Sequence, residues 1–218
     1  SADPVRVREE LDYRNLDGDW QSVLRGTGRA LLDPLKVEGV TPLHVAAWHG
    51  SARICAGLLQ AGARPASVDL LLRAPLMFAA DRGHAEATTL LLERKAAVGA
   101  NNDGHTAATL AARSGHAAIV RLLLELGGID ANFVAWAGGP TMLHVAAFHG
   151  KGGCATLLCE HDADVAAALD PGGLCPLMLA AQQGHVDICR ELLGRGAAVN
   201  EVDDEGRSAW AHAAGAGR

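Results

Sequence analysis

The chain lacks the features that mark several large classes of protein. Only 4% of its 218 residues are aromatic, and no apolar run approaches the roughly 20 residues that a membrane-spanning helix needs. Its net charge is −6, whereas binding to phosphates requires a concentrated basic face. The sequence therefore argues against a membrane span and against nucleic acid as a partner.

Signals for secretion and for cysteine-based chemistry are missing as well. Ser1–Glu10 is charged and has no apolar core of the kind found in signal peptides. The cysteines are odd in number and form no C-x-x-C pair; they are Cys55, Cys154, Cys159, Cys175 and Cys189. We interpret them as reduced thiols in apolar surroundings, which predicts a reducing compartment, either the cytoplasm or the nucleus.

Small and apolar residues dominate what is present. Hydrophobic residues make up 49% of the chain, and glycine occurs 26 times. Alanine allows helix axes to approach closely and loses little conformational entropy in a helix. The composition therefore predicts an interior of small, closely packed helices.

One seven-residue pattern recurs six times along the chain. Thr41–Ala47 reads TPLHVAA and Thr141–Ala147 reads TMLHVAA, and weaker copies begin at residues 74, 106, 175 and 208. The steps between successive copies are 33, 32, 35, 34 and 33 residues. A nearly constant period of this length indicates a stacked repeat architecture.

Further residues keep the same phase and define one repeat unit. Thr at the first position can cap a helix, and Pro after it fits the first turn. A leucine pair marks a second helix, for example at 51–60, and glycines suited to a left-handed helix end lie between the two helices: Gly50, Gly83, Gly115, Gly150, Gly184 and Gly217. Neither helix can bury its apolar side alone, so the units must stack.

Three features carry a resemblance to a known family: the T-P-L-H-type strings, the phased glycines and the Gly-His pairs at 83–84, 115–116 and 184–185. In these features the chain resembles the ankyrin repeat family over residues 36–218. The resemblance implies an all-α solenoid of helix-turn-helix units with β-hairpin finger loops. We place units near 41, 74, 106, 141, 175 and 208 in one continuous domain, and interpret residues 1–35 as a degenerate N-terminal capping repeat. The finger at Leu70–Arg73 departs from the family pattern, which is usually polar and contains glycine.

Histidine and cysteine raise the alternatives of a metal site and of catalysis. The resemblance gives His44 and His144 a structural role, in which each ring bonds to the backbone of the neighbouring unit. Cys154 and Cys159 lie five residues apart on a helix and should not share a face well, which argues against zinc. We predict no metal, no cofactor and no enzymatic activity.

The ends of the first helices need no particular residue for folding, yet Trp48 and Phe148 occur there. Aromatic residues and arginine dominate the binding energy of interfaces, although each ring could instead pack on the neighbouring finger. The resemblance implies that fingers and first helices form a concave face that grips a partner. We predict that partner binding involves Trp48, His49, Leu71, Arg73, Asp81, Arg82, His105, Arg113, Trp136, Phe148, His149 and Gln182.

These residues combine apolar anchors with cationic or titratable groups in a chain that is acidic as a whole. They predict a partner protein or peptide with apolar anchors and acidic residues, bound by a chain that is monomeric alone. In the alternative hypothesis the chain is a targeting or adaptor arm of a larger protein, such as a ubiquitin-ligase adaptor or a channel. The chain stops at Arg218 after the first helix of the last unit, which we interpret as either a truncation or an unusual cap.

Overall fold

The computed structural model describes residues 39–101, 104–135, 137–170 and 172–217. These residues form eleven helices and no strand, which confirms the all-α prediction. The chain divides into two compact units between Asp103 and Gly104. The capping repeat predicted at 1–35 lies outside the described residues.

The first unit contains two helix-turn-helix repeats. They consist of α1 (Pro42–Trp48) with α2 (Ala52–Gln60), and of α3 (Pro75–Arg82) with α4 (Ala85–Glu93). The two first helices pack on each other, and so do the two second helices. This arrangement forms two helical layers, as the stacking of repeats requires.

The second unit continues the pattern with three full repeats and one final helix. Its first helices α5, α7, α9 and α11 pack in one row, and its second helices α6, α8 and α10 pack in another. The bounds are α5 (Ala107–Ser114), α6 (Ala117–Glu125), α7 (Met142–Phe148), α8 (Gly152–Glu160), α9 (Pro176–Gln183), α10 (Val186–Gly194) and α11 (Ala209–Gly215).

Threonine begins the first helix of a repeat, as predicted. The Thr106 hydroxyl accepts a bond from the Thr109 N–H at 3.1 Å, and the Thr106 N–H donates to the Thr109 hydroxyl at 2.8 Å. The Thr41 N–H is satisfied by the imidazole of His44 instead. Ala74 begins its helix without a side-chain cap, so that helix relies on neighbouring repeats for stability.

A glycine in the left-handed conformation closes the turn between the two helices of each repeat. Gly50 has φ 71°, and a Cβ there would collide with the ring of His84 from the next repeat. That ring donates from Nε2 to the Trp48 carbonyl at 3.1 Å. Gly150 and His185 repeat this arrangement. Glycine is therefore required both by the backbone conformation and by the approach of the neighbouring histidine.

The predicted β-hairpin fingers are not confirmed. Among the described residues the bridge between Val202 and Ser208 is the one isolated β-pairing. In its loop the Asp69 carboxylate accepts the N–H groups of Leu71 and Arg73 at 2.9 and 2.8 Å. The Asp203 carboxylate accepts the equivalent N–H of Arg207 next to the Val202–Ser208 bridge, so such side-chain bonds organise the turn of a finger with or without a bridge at its base.

Candidate functional site

The predicted residues Trp48 and Arg82 are brought together at the surface of the first unit. Trp48 ends α1 and Arg82 ends α3, one repeat later. The Arg82 guanidinium carbon lies 3.7 Å from the centroid of the Trp48 ring. The indole remains 38% exposed. A cation over an indole face is attracted by the ring's quadrupole, so this pair is ordered and yet accessible.

Phe78 completes this group and was missed in the sequence. Its ring centroid lies 5.8 Å from that of Trp48, in an edge-to-face arrangement, and the Arg73 guanidinium carbon lies 4.9 Å from the Phe78 centroid. The available signal is a Phe where the copies beginning at 41, 106, 141 and 175 carry Val or Leu. We call Trp48, Arg73, Phe78 and Arg82 the aromatic–arginine surface.

Arg73 is held in place by an ion pair. Its Nε lies 2.6 Å from Asp69 Oδ2, and the Asp69 side chain is 1% exposed. The Arg73 side chain keeps 34% of its area exposed. Arg73 therefore presents a fixed guanidinium face, with much of its charge compensated by Asp69. The remaining predicted residues of this unit are Leu71 and His49, which are exposed, and Asp81, which is half-buried.

A second group lies in the second unit, around Phe148 at the end of α7. Phe148 is 41% exposed, and its ring contacts His149 edge-to-face with the centroids 5.1 Å apart. Partial burial lowers the pKa of His149, and the positive charges of Arg113, Lys151 and His185 lower it further. This unit therefore also combines an exposed aromatic ring with cations.

Lys151 belongs to this cationic group, although the sequence analysis did not single it out. A Cβ at Gly115 would lie 2.9 Å from Lys151 Cδ, so the lysine stem crosses the glycine turn of the preceding repeat. His105 and Gln182 are half-buried, and their predicted role in binding stays a prediction. Trp136 lies outside the described residues.

His44 and His144 have the structural role that the resemblance implied. Nε2 of His44 donates to the Arg73 carbonyl at 2.9 Å, and Nε2 of His144 donates to the Leu174 carbonyl at 3.2 Å. Nδ1 of His44 accepts the N–H of Thr41, so the ring is neutral with its proton on Nε2. Burial lowers the pKa of both imidazoles. These rings are committed to the fold.

The acidic segment at 203–206 has a buried aspartate at its centre. Asp203 is buried, and its Oδ2 accepts bonds from Arg207 Nε and from His212 Nε2, both at 2.9 Å. Burial alone would raise the pKa of Asp203, but bonds from Arg207, His212 and the Glu205 N–H hold it well below its usual range. The bonds from Arg207 are the main cause of the lowered pKa, and the ring of His212 on α11 adds to their effect.

The thiols are poorly suited to nucleophilic chemistry. Burial raises the pKa of Cys55 to about 12 and that of Cys154 to about 11, and the thiolate is the reactive form. Cys159 is buried in the same helix as Cys154, whereas Cys189, which we also expected in apolar surroundings, is only half-buried. The described residues contain no group of three His, Cys, Asp or Glu side chains that could hold a metal ion.

None of the helices in the described part of the chain is long and apolar enough to cross a membrane. The described residues offer two separate candidate binding groups of exposed aromatic and cationic side chains, one in each unit. Such groups can bind apolar and acidic side chains of another molecule.

Comparisons with known proteins agree with the repeat architecture. The chain is 34% identical over 181 residues to the ankyrin repeat protein nuc-2 of Neurospora crassa, covering 81% of this chain and 16% of nuc-2. It is 31% identical over 161 residues to the probable E3 ubiquitin-protein ligase XBOS32 of Oryza sativa subsp. japonica, covering 60% of this chain and 32% of XBOS32. The chain thus spans less than a third of the length of either relative.

A solved structure also has the same fold. The ankyrin repeat domain of Bcl-3, described as a unique member of the IκB protein family, superposes with a TM-score of 0.76 at 24% identity and 92% coverage of both chains. Family models for ankyrin repeats match residues 38–70, 65–135 and 128–203. Together with the phased glycines and the inter-repeat histidines, these matches show that the chain belongs to the ankyrin repeat family.

Proposed function

We propose that the chain is a protein-interaction module that binds a partner through the aromatic–arginine surface of its first unit. Ankyrin repeats are non-catalytic modules that bind proteins. The group around Phe148, which lies in the second unit, is proposed as a separate contact region. The proposed activity is binding alone, with no catalytic step.

The stacking of Arg82 on Trp48 is the observation that carries this proposal. Tryptophan and arginine are enriched among the residues that dominate interface energies. Because the Trp48 ring already contacts both Arg82 and Phe78, less side-chain entropy is lost when a partner binds. An exposed and preordered pair is therefore a favourable anchor point.

The fold provides little other reason for an indole at this position. The Trp48 backbone carbonyl, and not its ring, accepts the inter-repeat bond from His84. The ring contacts Phe78 and Arg82 on the next first helix, whereas the alternative hypothesis expected it to pack on a finger. Residues such as Leu91, with 0% exposure, form the core instead.

The charge distribution supports an acidic partner. Residues 39–101 carry six Arg or Lys side chains and four carboxylates, although the whole chain has a net charge of −6. One of those carboxylates, Asp69, is buried against Arg73. A partner with apolar anchors and acidic side chains complements this surface, and its association should weaken with salt.

A second candidate function is supported by the relative XBOS32, which is named a probable E3 ubiquitin-protein ligase. In this alternative the chain is the targeting arm of a larger protein and selects the partner on which another domain acts. The five free thiols suit a reducing compartment, and we propose the cytoplasm or the nucleus in either case. The sequence of the complete transcript separates the two candidates.

The test is quantitative affinity capture with matched variants. Wild type, Trp48→Ala/Arg82→Glu and the control Glu86→Lys/Glu93→Lys are immobilised, and captured proteins are compared by mass spectrometry. The two glutamates of the control lie exposed on α4. We expect the partner to be kept by the control and reduced at least about tenfold by the surface variant. Loss of the partner in the control alone would place the binding face on the second helices.

A further inference from the structure

The loop between α2 and α3 carries three consecutive leucines at its tip. The loop is closed at its base by the Asp69 N–H, which donates to the Arg73 carbonyl at 3.1 Å. Inside it the Leu72 N–H donates to the Asp69 carbonyl at 3.0 Å. Leu70, Leu71 and Leu72 lie between these bonds, and we call them the leucine tip.

Leu72 has a backbone conformation that leucine seldom adopts. Its φ is 58°, in the left-handed region where a Cβ crowds the following carbonyl oxygen. Two residues before the first position of four other copies, the chain has a glycine with positive φ: Gly39, Gly104, Gly173 and Gly206. This finger has therefore kept a branched apolar residue where glycine would adopt the same turn without strain.

Two other non-glycine residues with positive φ have an ordinary explanation. Lys95 and Asp162 follow the second helices α4 and α8, where one left-handed residue is a common helix end. Leu72 ends no helix, since it lies two residues before the cap of α3. Strained residues outside helix ends are typical of binding sites.

The leucine tip gains little burial in return for this strain. Leu70 is 71% exposed, and Leu71 and Leu72 are each 47% exposed. The preceding Val68 is also 41% exposed. Contiguous exposed apolar side chains are typical of interaction sites. The backbone strain at Leu72 and the exposure of the leucines are thus two independent indications of a contact with another molecule.

We propose that the leucine tip is a docking site for an amphipathic segment of a partner protein that carries apolar and acidic side chains. This inference rests on the proposed function and names an additional part of that surface. The apolar side chains of the segment pack on Leu70, Leu71 and Leu72. Its carboxylates approach Arg73, which follows the tip, and Arg82 of the aromatic–arginine surface.

Continuity and charge support this choice of occupant. Arg73 follows the tip directly and lies against Phe78, which contacts Trp48, so the tip is joined to the aromatic–arginine surface. Between residues 64 and 82 the chain has three arginines and two aspartates. Asp69 pairs with Arg73, so the remaining charges of this stretch are those of Arg64, Arg82 and Asp81, which sum to one positive charge. An acidic segment is thus favoured over a basic one along this part of the unit.

The test begins with a random peptide library displayed on phage and selected on the immobilised wild-type chain. We expect the enriched peptides to combine leucine-like side chains with glutamate or aspartate. One enriched peptide is then titrated by fluorescence anisotropy into wild type, Leu71→Ser, Leu72→Gly, Trp48→Ala/Arg82→Glu and the control Leu193→Ser. Leu193 is 42% exposed on α10, so the control removes a leucine of similar exposure from another surface.

The leucine-tip variants should each weaken binding about tenfold while the control binds as wild type. Leu72→Gly should at the same time raise Tm by about 2–4 °C, because glycine relieves the left-handed strain. A gain in stability together with a loss of affinity separates a residue kept for binding from one needed for folding. Leu71→Ser tests the apolar contact without changing the strained position.

Each other outcome overturns a defined part of the account. Failure to enrich peptides, or enrichment of peptides without acidic and apolar residues, overturns the proposed partner chemistry. Normal binding by Leu71→Ser and Leu72→Gly with weakened binding by Trp48→Ala/Arg82→Glu overturns the docking site and leaves the proposed function intact. The reverse result retains the tip and overturns the aromatic–arginine surface. Dimerisation of wild type that Leu71→Ser abolishes would make a second copy the occupant.

Discussion

At the residue scale, His44 and His144 combine two structural roles in one ring. Each accepts the N–H of the threonine that begins its own helix and donates to a carbonyl at the start of the next repeat. The ring can do both only when it is neutral, since protonation of Nδ1 removes the acceptor. The two histidines therefore link helix capping to repeat stacking.

This dual role predicts that the protein loses stability in mild acid. Burial lowers the pKa of both rings below the usual histidine value of about 6.5, so the unfolded chain binds protons that the folded chain does not. Their contribution is fully present above about pH 6.5 and is lost progressively as the pH falls through the lower folded pKa. Urea unfolding between pH 8 and pH 5 should show this decline.

The chain itself provides the matched variant. Thr109 occupies the equivalent position in the third copy and caps Thr106 with a hydroxyl that does not titrate. His44→Thr/His144→Thr should be less stable than wild type at pH 8, because the bonds to the next repeat are lost. Its decline between pH 7 and pH 5 should be shallower. An unchanged slope would show that other groups cause the acid sensitivity.

At the element scale, two of the described finger turns are organised by an aspartate and by an arginine four residues later. Asp69 and Arg73 form one such turn and Asp203 and Arg207 the other, with the same backbone and side-chain bonds. In each case the carboxylate is buried beneath the turn. Each turn is also closed by a backbone bond from the aspartate N–H to the arginine carbonyl, so the buried carboxylates support the closure of these two fingers.

Removing the Asp69 carboxylate should destabilise the first unit. Asp69→Ala leaves two turn N–H groups and the Arg73 guanidinium without their acceptor, which should reduce the free energy of unfolding by about 1–3 kcal/mol. Chemical denaturation measures the loss. Glu93→Ala, at an exposed position of α4, is the control and should change stability by less than about 0.5 kcal/mol. A loss no larger than that of the control would contradict the proposed role.

Helix α8 illustrates how position decides the effect of a glycine. Gly152 and Gly153 are the first two residues of this helix and not interior positions. A Cβ at Gly153 would meet only the Ala117 Cβ, at 3.9 Å. Gly153→Ala should therefore stabilise the protein by about 0.4–1 kcal/mol, as measured by urea unfolding. Gly150→Ala should destabilise it, because its φ is 69° and His185 fills the space.

At the scale of the whole molecule, stability and binding should depend on different residues. Leu91 and Leu158 are fully buried, and replacing either with Ala should cost about 2–5 kcal/mol through loss of contacts and cavity formation. Trp48→Ala should cost less, since its ring is partly exposed. Thermal unfolding of the three variants checks this order. An equal loss for Trp48→Ala would show that the indole belongs to the core.

The sequence predicted the fold well because its periodicity and its backbone requirements coincide. The left-handed turn requires glycine at position 50 and at the equivalent positions. This requirement is local, so a single copy of the repeat is enough to predict it. The bonds of His212 to Asp203 and the closure of the fingers depend on side chains meeting in three dimensions, so residue type and spacing alone did not reveal them.

The candidate site was predicted only in part, because some of its contacts depend on side chains that meet in three dimensions. Trp48 and Arg82 stood out because they occupy positions that the repeat leaves free, and the structure brings them together. Phe78 and Lys151 were missed because each replaces an ordinary residue of the repeat, and only their surroundings show that they adjoin the exposed aromatic rings.

His149 has a lowered pKa, so any strengthening of binding by its protonation should begin below the usual range near pH 6.5.

The most direct test of the central claim is hydrogen–deuterium exchange of the chain with and without a saturating selected peptide. The account predicts slower exchange in the leucine tip, at the end of α1 around Trp48 and along α3 from Phe78 to Arg82. Exchange in α2 and α4 should be unchanged. Protection confined to α2 and α4, with none at the tip or around Trp48, would contradict the account.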